Sequence, residues 1–229
     1  MATAPARLRK FALNLSRSDW PNEKGYAFYL QSRTLCNFVE RAIASRKLPC
    51  AASKIVIEGV RGNTSKWYVN SCNVASVTLA VDDAGFEALR DGPGKHEHFI
   101  AMARAGLDVM TTLPAETRVG LEATFDAFRG GGYTNTWQHK KRTFREERIV
   151  VELDCSMTLE AFELVLSVTG KNGNTFRESL LRCDPDELAF HYQFKDAAIE
   201  DGYLVITSRT EKPLARVPLS KIRRRLEST

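Results

Sequence analysis

Several kinds of chemistry leave a mark on sequence, and this chain of 229 residues carries few of them. It has only four histidines, His96, His98, His139 and His191, so general bases and metal ligands are scarce. The five cysteines are Cys36, Cys50, Cys72, Cys155 and Cys183. Their number is odd and no Cys-x-x-Cys pair occurs, which excludes a disulfide framework and a zinc knuckle. Reduced, mostly buried thiols in a cytoplasmic protein are expected instead. No apolar run reaches the roughly 18 residues a membrane helix needs, so no membrane partner is expected. No continuous hydrophobic segment opens the chain, so a secretory signal is not expected. The first stretch carries Arg7, Arg9, Lys10 and Arg17 and no acid before Asp19. That loosely fits a transit peptide, although Phe11, Leu13 and Leu15 alternate as a strand does.

Catalytic signatures are missing too. There is no Gly-x-Gly-x-x-Gly fingerprint and no nucleophile elbow. Gly130-Gly131-Gly132 lacks the Gly-Lys-Ser/Thr ending and the preceding strand of a phosphate loop; it reads as a helix stop. His96-Glu97-His98 invites a metal reading. On a helix, however, residues two apart point to different sides. With no third ligand at a known spacing, a solvated helix start is the plainer reading, with Glu97 favoured by the dipole. Glu146-Glu147 and Asp82-Asp83 are adjacent pairs, and adjacent strand residues face opposite ways, which makes them poor acid/base partners. No catalytic residue, metal or cofactor is therefore expected, and an enzyme with scattered groups is the least supported function.

What is present is ordinary globular composition: 43% apolar and 27% charged, with a net charge of +5 and a pI near 9.0. So small an excess does not announce nucleic acid by itself; its clustering matters more. Basic residues gather at the N-terminus, over 140–148, and at Lys221, Arg223, Arg224 and Arg225.

Length suggests one large domain or two small ones. The hydrophobic period divides the chain near Gly132. Residues 1–132 read as a helix-rich α+β half with a small sheet: a strand over 10–15, an amphipathic helix over about 25–46, and three strands over 54–58, 66–69 and 74–81, expected to be antiparallel. A short helix over 83–89, a helix over 95–112 and another after Pro114 complete it. Residues 133–229 read as an antiparallel β-meander of about six strands, over 144–153, 162–169, 176–182, 189–199, 203–207 and 214–219, with turns at 170–174, 184–186 and Asp201-Gly202. The two halves could also share one core. The C-terminal Arg run reads as a solvated tail.

The segment left without a clear structural duty is Tyr133 to Arg148. Extended, it puts Trp137, His139, Lys141, Thr143, Arg145 and Glu147 on one face and the intervening residues on the other. Its plainest reading is an edge strand defended by Lys and Arg. Its functional reading is a contact surface for an acidic protein partner, built from Tyr133, Trp137, His139, Lys140, Lys141, Arg142 and Arg145, because Arg, Trp and Tyr anchor interfaces. Nucleic acid is the alternative; basic and aromatic residues suit it, and Glu146 and Glu147 oppose it. The expectation is thus a non-enzymatic binding protein, such as an inhibitor or immunity-type protein neutralising a toxin. No family resemblance is carried by particular residues.

Overall fold

The computed structural model describes residues 7–62, 65–81, 89, 92–190, 192–210 and 212–227. The expected helix over 83–89 lies almost wholly outside them. The protein is mixed α+β, and its chain divides into two compact units, Met1–Asn135 and Thr136–Thr229.

In the first unit, β1 (Lys10–Leu15) leads into the long helix α1 (Asn22–Arg46), followed by β2 (Lys54–Val60), β3 (Lys66–Val69) and β4 (Val74–Ala80). Then come α2 (Gly92–Val109) and α3 (Ala115–Gly130). The sheet order is β1-β2-β4-β3. β1 and β4 both run parallel to β2, and only β3 is antiparallel to its neighbour β4. The expected antiparallel trio is corrected: β3 does not pair back on β2 as a hairpin but steps over to the far edge, leaving β4 to lie parallel beside β2. One face of this sheet is apolar, with Phe11, Leu13, Ile55, Ile57, Ala75 and Val77 buried. Helix α2 lies directly on it, since a Cβ on Gly106 would come within 2.5 Å of the Ile57 side chain. Across the helices Phe28 meets Phe99 edge-on at 5.3 Å. Helix α1 is locked to edge strand β1 by Glu40, which takes the Lys10 ammonium at 2.9 Å and the Phe11 amide at 3.3 Å. The buried Arg33 guanidinium lies 3.6 Å from the same carboxylate.

At the end of α3, Gly131 and Tyr133 donate their amides to Ala127 and Phe128, and Gly132 and Tyr133 both adopt positive φ, 66° and 60°. Glycine tolerates that conformation freely; Tyr133 is held in it by contacts described below.

The second unit is a pair of sheets. β5 (Asn135–Phe144), β6 (Ile149–Met157), β7 (Phe162–Gly170) and β8 (Thr175–Cys183) lie in chain order in a four-stranded sheet. The one-turn helix α4 (Glu187–Phe190) precedes β9 (Asp196–Glu200), β10 (Tyr203–Thr207) and β11 (Ala215–Pro218), which form a three-stranded antiparallel sheet. Both sheets contribute to one core, from Val151, Leu153, Leu164 and Leu166 on one side to Leu204, Ile206 and Val217 on the other. Seven strands in two sheets replace the single six-strand meander expected. Residues 144–153 are not one strand, because Arg145 to Arg148 form a turn with Arg148 at φ 58°. The expected strand from 189 begins instead as α4. The C-terminal run is no solvated tail: α5 (Leu219–Glu227) buries Leu219, Ile222 and Leu226 against the core while Arg223, Arg224 and Arg225 stay exposed. Asn172 and Asn174 of the β7–β8 turn donate to its Leu226 carbonyl at 3.1 and 2.8 Å.

No described helix is long and apolar enough to cross a membrane.

Candidate functional site

β5 is the outer strand of its sheet, and it carries most of the residues singled out above. Trp137 and His139 turn toward the core. The Trp137 ring is 5.9 Å from Phe162, which stacks on Phe194 at 5.8 Å, and His139 meets Phe194 edge-on at 4.8 Å. Burial lowers the His139 pKa, a hydrogen bond to the Lys195 backbone opposes this, and Lys140 and Arg209 add to the lowering. The balance favours the neutral imidazole.

The cations of β5 are tethered. Lys140 reaches Asp196 of β9 at 3.1 Å. Arg142 donates to the Ala197 carbonyl at 2.6 Å and lies 3.6 Å from Asp196. Edge strands β5 and β9 are thus bridged by side chains. Burial pushes the Asp196 carboxyl up, but the Ala197 amide and Lys140 outweigh it and leave the pKa below its usual value. Lys141 reaches Glu152 of β6 at 2.8 Å, and Gln138 donates to that carboxylate at 3.0 Å. The lysine's hydrogen bond holds Glu152 below its ordinary pKa. Gln138 and Lys141 share one partner although they are three residues apart, whereas Trp137 with His139 and Lys140 with Arg142 pair as the expected two-face alternation has them. Arg145 is exposed in the turn after β5, beside exposed Glu146 and Arg148.

Tyr133 stands apart from these. It belongs to the first unit, where its ring stacks on His96 at 5.0 Å and its hydroxyl donates to Glu97 at 2.8 Å. His96 is not solvated, as expected of a helix start, but buried at 7% exposure, with Nδ1 meeting no partner among the described residues. Burial drives its pKa down to about 4. Glu97 accepts a two-pronged contact from Arg129, at 2.7 and 2.6 Å, which holds its pKa near 2. The pair explains the His-Glu-His sequence as packing and a helix–helix clamp. Among the described residues no group of three or more His, Cys, Asp or Glu could hold a metal ion.

One cavity was not legible in the sequence. At the carboxyl end of β1 a crevice of about 790 Å³ opens between Asn14, Ser16, Arg17, Trp20, Tyr26 and Glu58, among others. Its residues come from β1, the following loop, the start of α1, and β2. No short motif links them; the only available signal was the strand–turn–helix order itself, since ligands of open sheets collect at the carboxyl ends of parallel strands.

Compared with known proteins, the chain matches no family model, no curated protein and no solved structure.

Proposed function

We propose that this chain is a non-enzymatic binding protein that holds a protein partner through the β5 side of its second unit. Trp137 and His139 are its seated anchors, and Lys140, Lys141, Arg142 and Arg145 are its polar contacts. One observation carries the reading: Lys140, Lys141 and Arg142 are 41%, 57% and 48% exposed and yet each is held by a carboxylate. Long side chains ordered before binding lose less entropy in the complex. Aromatic and Arg side chains at such a surface are the usual anchors of interfaces. Exposed Arg145 suits an acidic partner surface, although Glu146 and Glu147 leave its turn without net charge. Tyr133 is not carried into this surface, because its ring and hydroxyl are engaged in the first unit. Neutralising a toxin, as an inhibitor or immunity protein does, is one task such a surface performs. The cytoplasm is the compartment in which five free cysteines stay reduced.

Capture from a native lysate with nuclease present tests the proposal. Wild-type chain is expected to retain a defined protein partner, and Lys141→Ala/Arg145→Ala to retain about tenfold less of it, a loss typical of interface anchors. Equal retention by the folded double variant contradicts the assignment. A nucleic-acid role is the second reading, favoured by exposed Arg145 and Arg148 and by the arginines of α5. The carboxylates already facing Lys140, Lys141 and Arg142 weaken it. Binding of duplex or single-stranded DNA that falls steeply with salt, at a phosphate-type slope, would favour it over the first.

A further inference from the structure

Among the described non-glycine residues with positive φ, Tyr133 is the one aromatic. A side chain of that bulk takes the left-handed conformation only where its surroundings hold it, and such strain gathers at switching segments. The restraint lies within the first unit, and the proposed binding role makes no use of it. The Tyr133 ring lies 11° from parallel to His96 and meets Phe128 edge-on at 5.7 Å. Its hydroxyl donates to Glu97 at 2.8 Å and its amide to the Phe128 carbonyl at 2.9 Å. The three residues before it are glycines, which leave the chain other paths once the restraint is gone.

That restraint rests on a group whose hydrogen bonding is incomplete. His96 is buried, and its Nδ1 has no partner among the described residues. A neutral imidazole can leave Nδ1 as a bare lone pair. An imidazolium carries a proton on both nitrogens, and a buried Nδ1–H without an acceptor is costly. The charged and titratable groups around the ring do not supply one. On α2, the Glu97 charge favours the imidazolium, but burial outweighs it. Lys95 is half-buried on the same helix, and His98 turns to the Phe99 ring at 6.3 Å. On α3, Arg129 is engaged by Glu97 and Asp126. On α1, Phe38 meets Phe128 at 5.1 Å, and Arg41 donates to Asn135.

The walls around His96 differ in what can yield. Phe128 belongs to α3, which the Arg129–Glu97 contact clasps to α2. Glu97, held at about 2, stays ionised well below pH 5, so the clasp persists there. Tyr133 lies beyond the end of α3, on the glycine loop. Past it the chain is pinned again at Asn135, which is buried and donates to the Thr34 carbonyl at 2.7 Å and to Asn37 at 3.2 Å. Neither of those acceptors titrates. We propose that His96 is a proton-operated latch: when its imidazole takes up a proton from solvent, Tyr133 leaves the ring, its backbone relaxes from the left-handed region, and the chain loosens over 131–134 while the α2–α3 pair stays closed. The departure of Tyr133 opens Nδ1 to water and frees one Glu97 oxygen beside the new cation.

Native-state hydrogen exchange of the full chain, followed residue by residue by NMR from about pH 7 to about pH 4.5, tests the latch. With the latched imidazole titrating at about 4 and the released one at its ordinary 6.5, the opening equilibrium at the Tyr133 amide is expected to rise roughly fifty-fold over that range, after correction for the intrinsic exchange rate. Sub-denaturing urea is expected to leave that opening unchanged, as it does local openings, while the Phe125 amide inside α3 stays far better protected and responds to urea. His96→Phe keeps a ring under Tyr133 but takes no proton, and is expected to abolish the rise. Tyr133→Gly suits the positive φ, so the fold is retained, and the His96 NMR signal is expected to titrate close to 6.5. A Tyr133 opening that does not change with pH overturns the proposal. So does a rise that survives in folded His96→Phe, a Tyr133 amide that opens only in step with Phe125, or a His96 midpoint in Tyr133→Gly no different from the wild type.

Discussion

His96 shows how much one buried side chain can couple stability to pH. Its ring is enclosed by Phe128 and Tyr133, at 5.3 and 5.0 Å, and the folded chain disfavours its protonation. An unfolded histidine takes up a proton near pH 6.5, whereas the folded one does so only near 4. The unfolded chain therefore binds the proton first, and stability is full above 6.5 and declines as pH falls toward 4. The loss is on the order of 3 kcal/mol. Denaturant unfolding across that range is expected to show the slope, and His96→Phe to flatten it. Glu97, lowered from 4.5 to about 2, acts with the same sign in the more acidic window between those values. Glu40 matters differently. Buried Arg33 faces it, with the two side chains 2% and 10% exposed. Removing Glu40 takes away the carboxylate beside a buried guanidinium, so Glu40→Ala is expected to cost about 3 kcal/mol in the same assay. A cost below 1 kcal/mol would mean that Glu40 is dispensable to the α1–β1 junction.

Among elements, α2 and α5 make the sharpest expectations. Gly106 lets α2 approach β2, since a Cβ there would meet the Ile57 side chain at 2.5 to 2.9 Å. Gly106→Ala gains helix propensity of about 1 kcal/mol but must push the helix from the sheet, so a net loss of roughly 1–2 kcal/mol is expected. A rise in the thermal midpoint would show that the close packing is not needed. On α5, Ile222→Ala is expected to destabilise by about 2–5 kcal/mol, and Arg223→Ala by less than about 0.5 kcal/mol. Equal effects would argue against a seated helix. These elements also show what sequence could tell. The helix α1, the glycine stop after α3 and the Asp201-Gly202 turn, at φ 49° and 80°, were legible because each depends on neighbouring residues. The direction of β2 was not. Its alternation of buried and half-buried residues resembles an antiparallel strand, since one face meets helices and the other is not fully buried, whereas parallel sheets are commonly covered on both. In α5 the dense Lys and Arg masked Leu219, Ile222 and Leu226, whose helical spacing becomes informative only when a core is there to receive them.

At the scale of the molecule, each unit has buried hydrophobic side chains of its own, from Phe11, Phe99 and Phe125 in the first to Phe162, Leu166 and Leu204 in the second. Basic character over 140–148 was legible in sequence, but its restraint was not: Asp196 lies more than fifty residues from Lys140, and only the fold brings them together. The crevice was invisible for a similar reason, since Asn14 and Glu58 meet only through strand pairing. The central claim, that a protein partner sits on the β5 side, is tested most directly by a photo-crosslinking residue placed at position 145, with a matching one at exposed Arg182 of β8 as the control. The account predicts a discrete protein adduct from position 145 in native lysate that is absent from position 182 and survives nuclease treatment. Adducts from position 182 alone, or an adduct at 145 that nuclease removes, would contradict it.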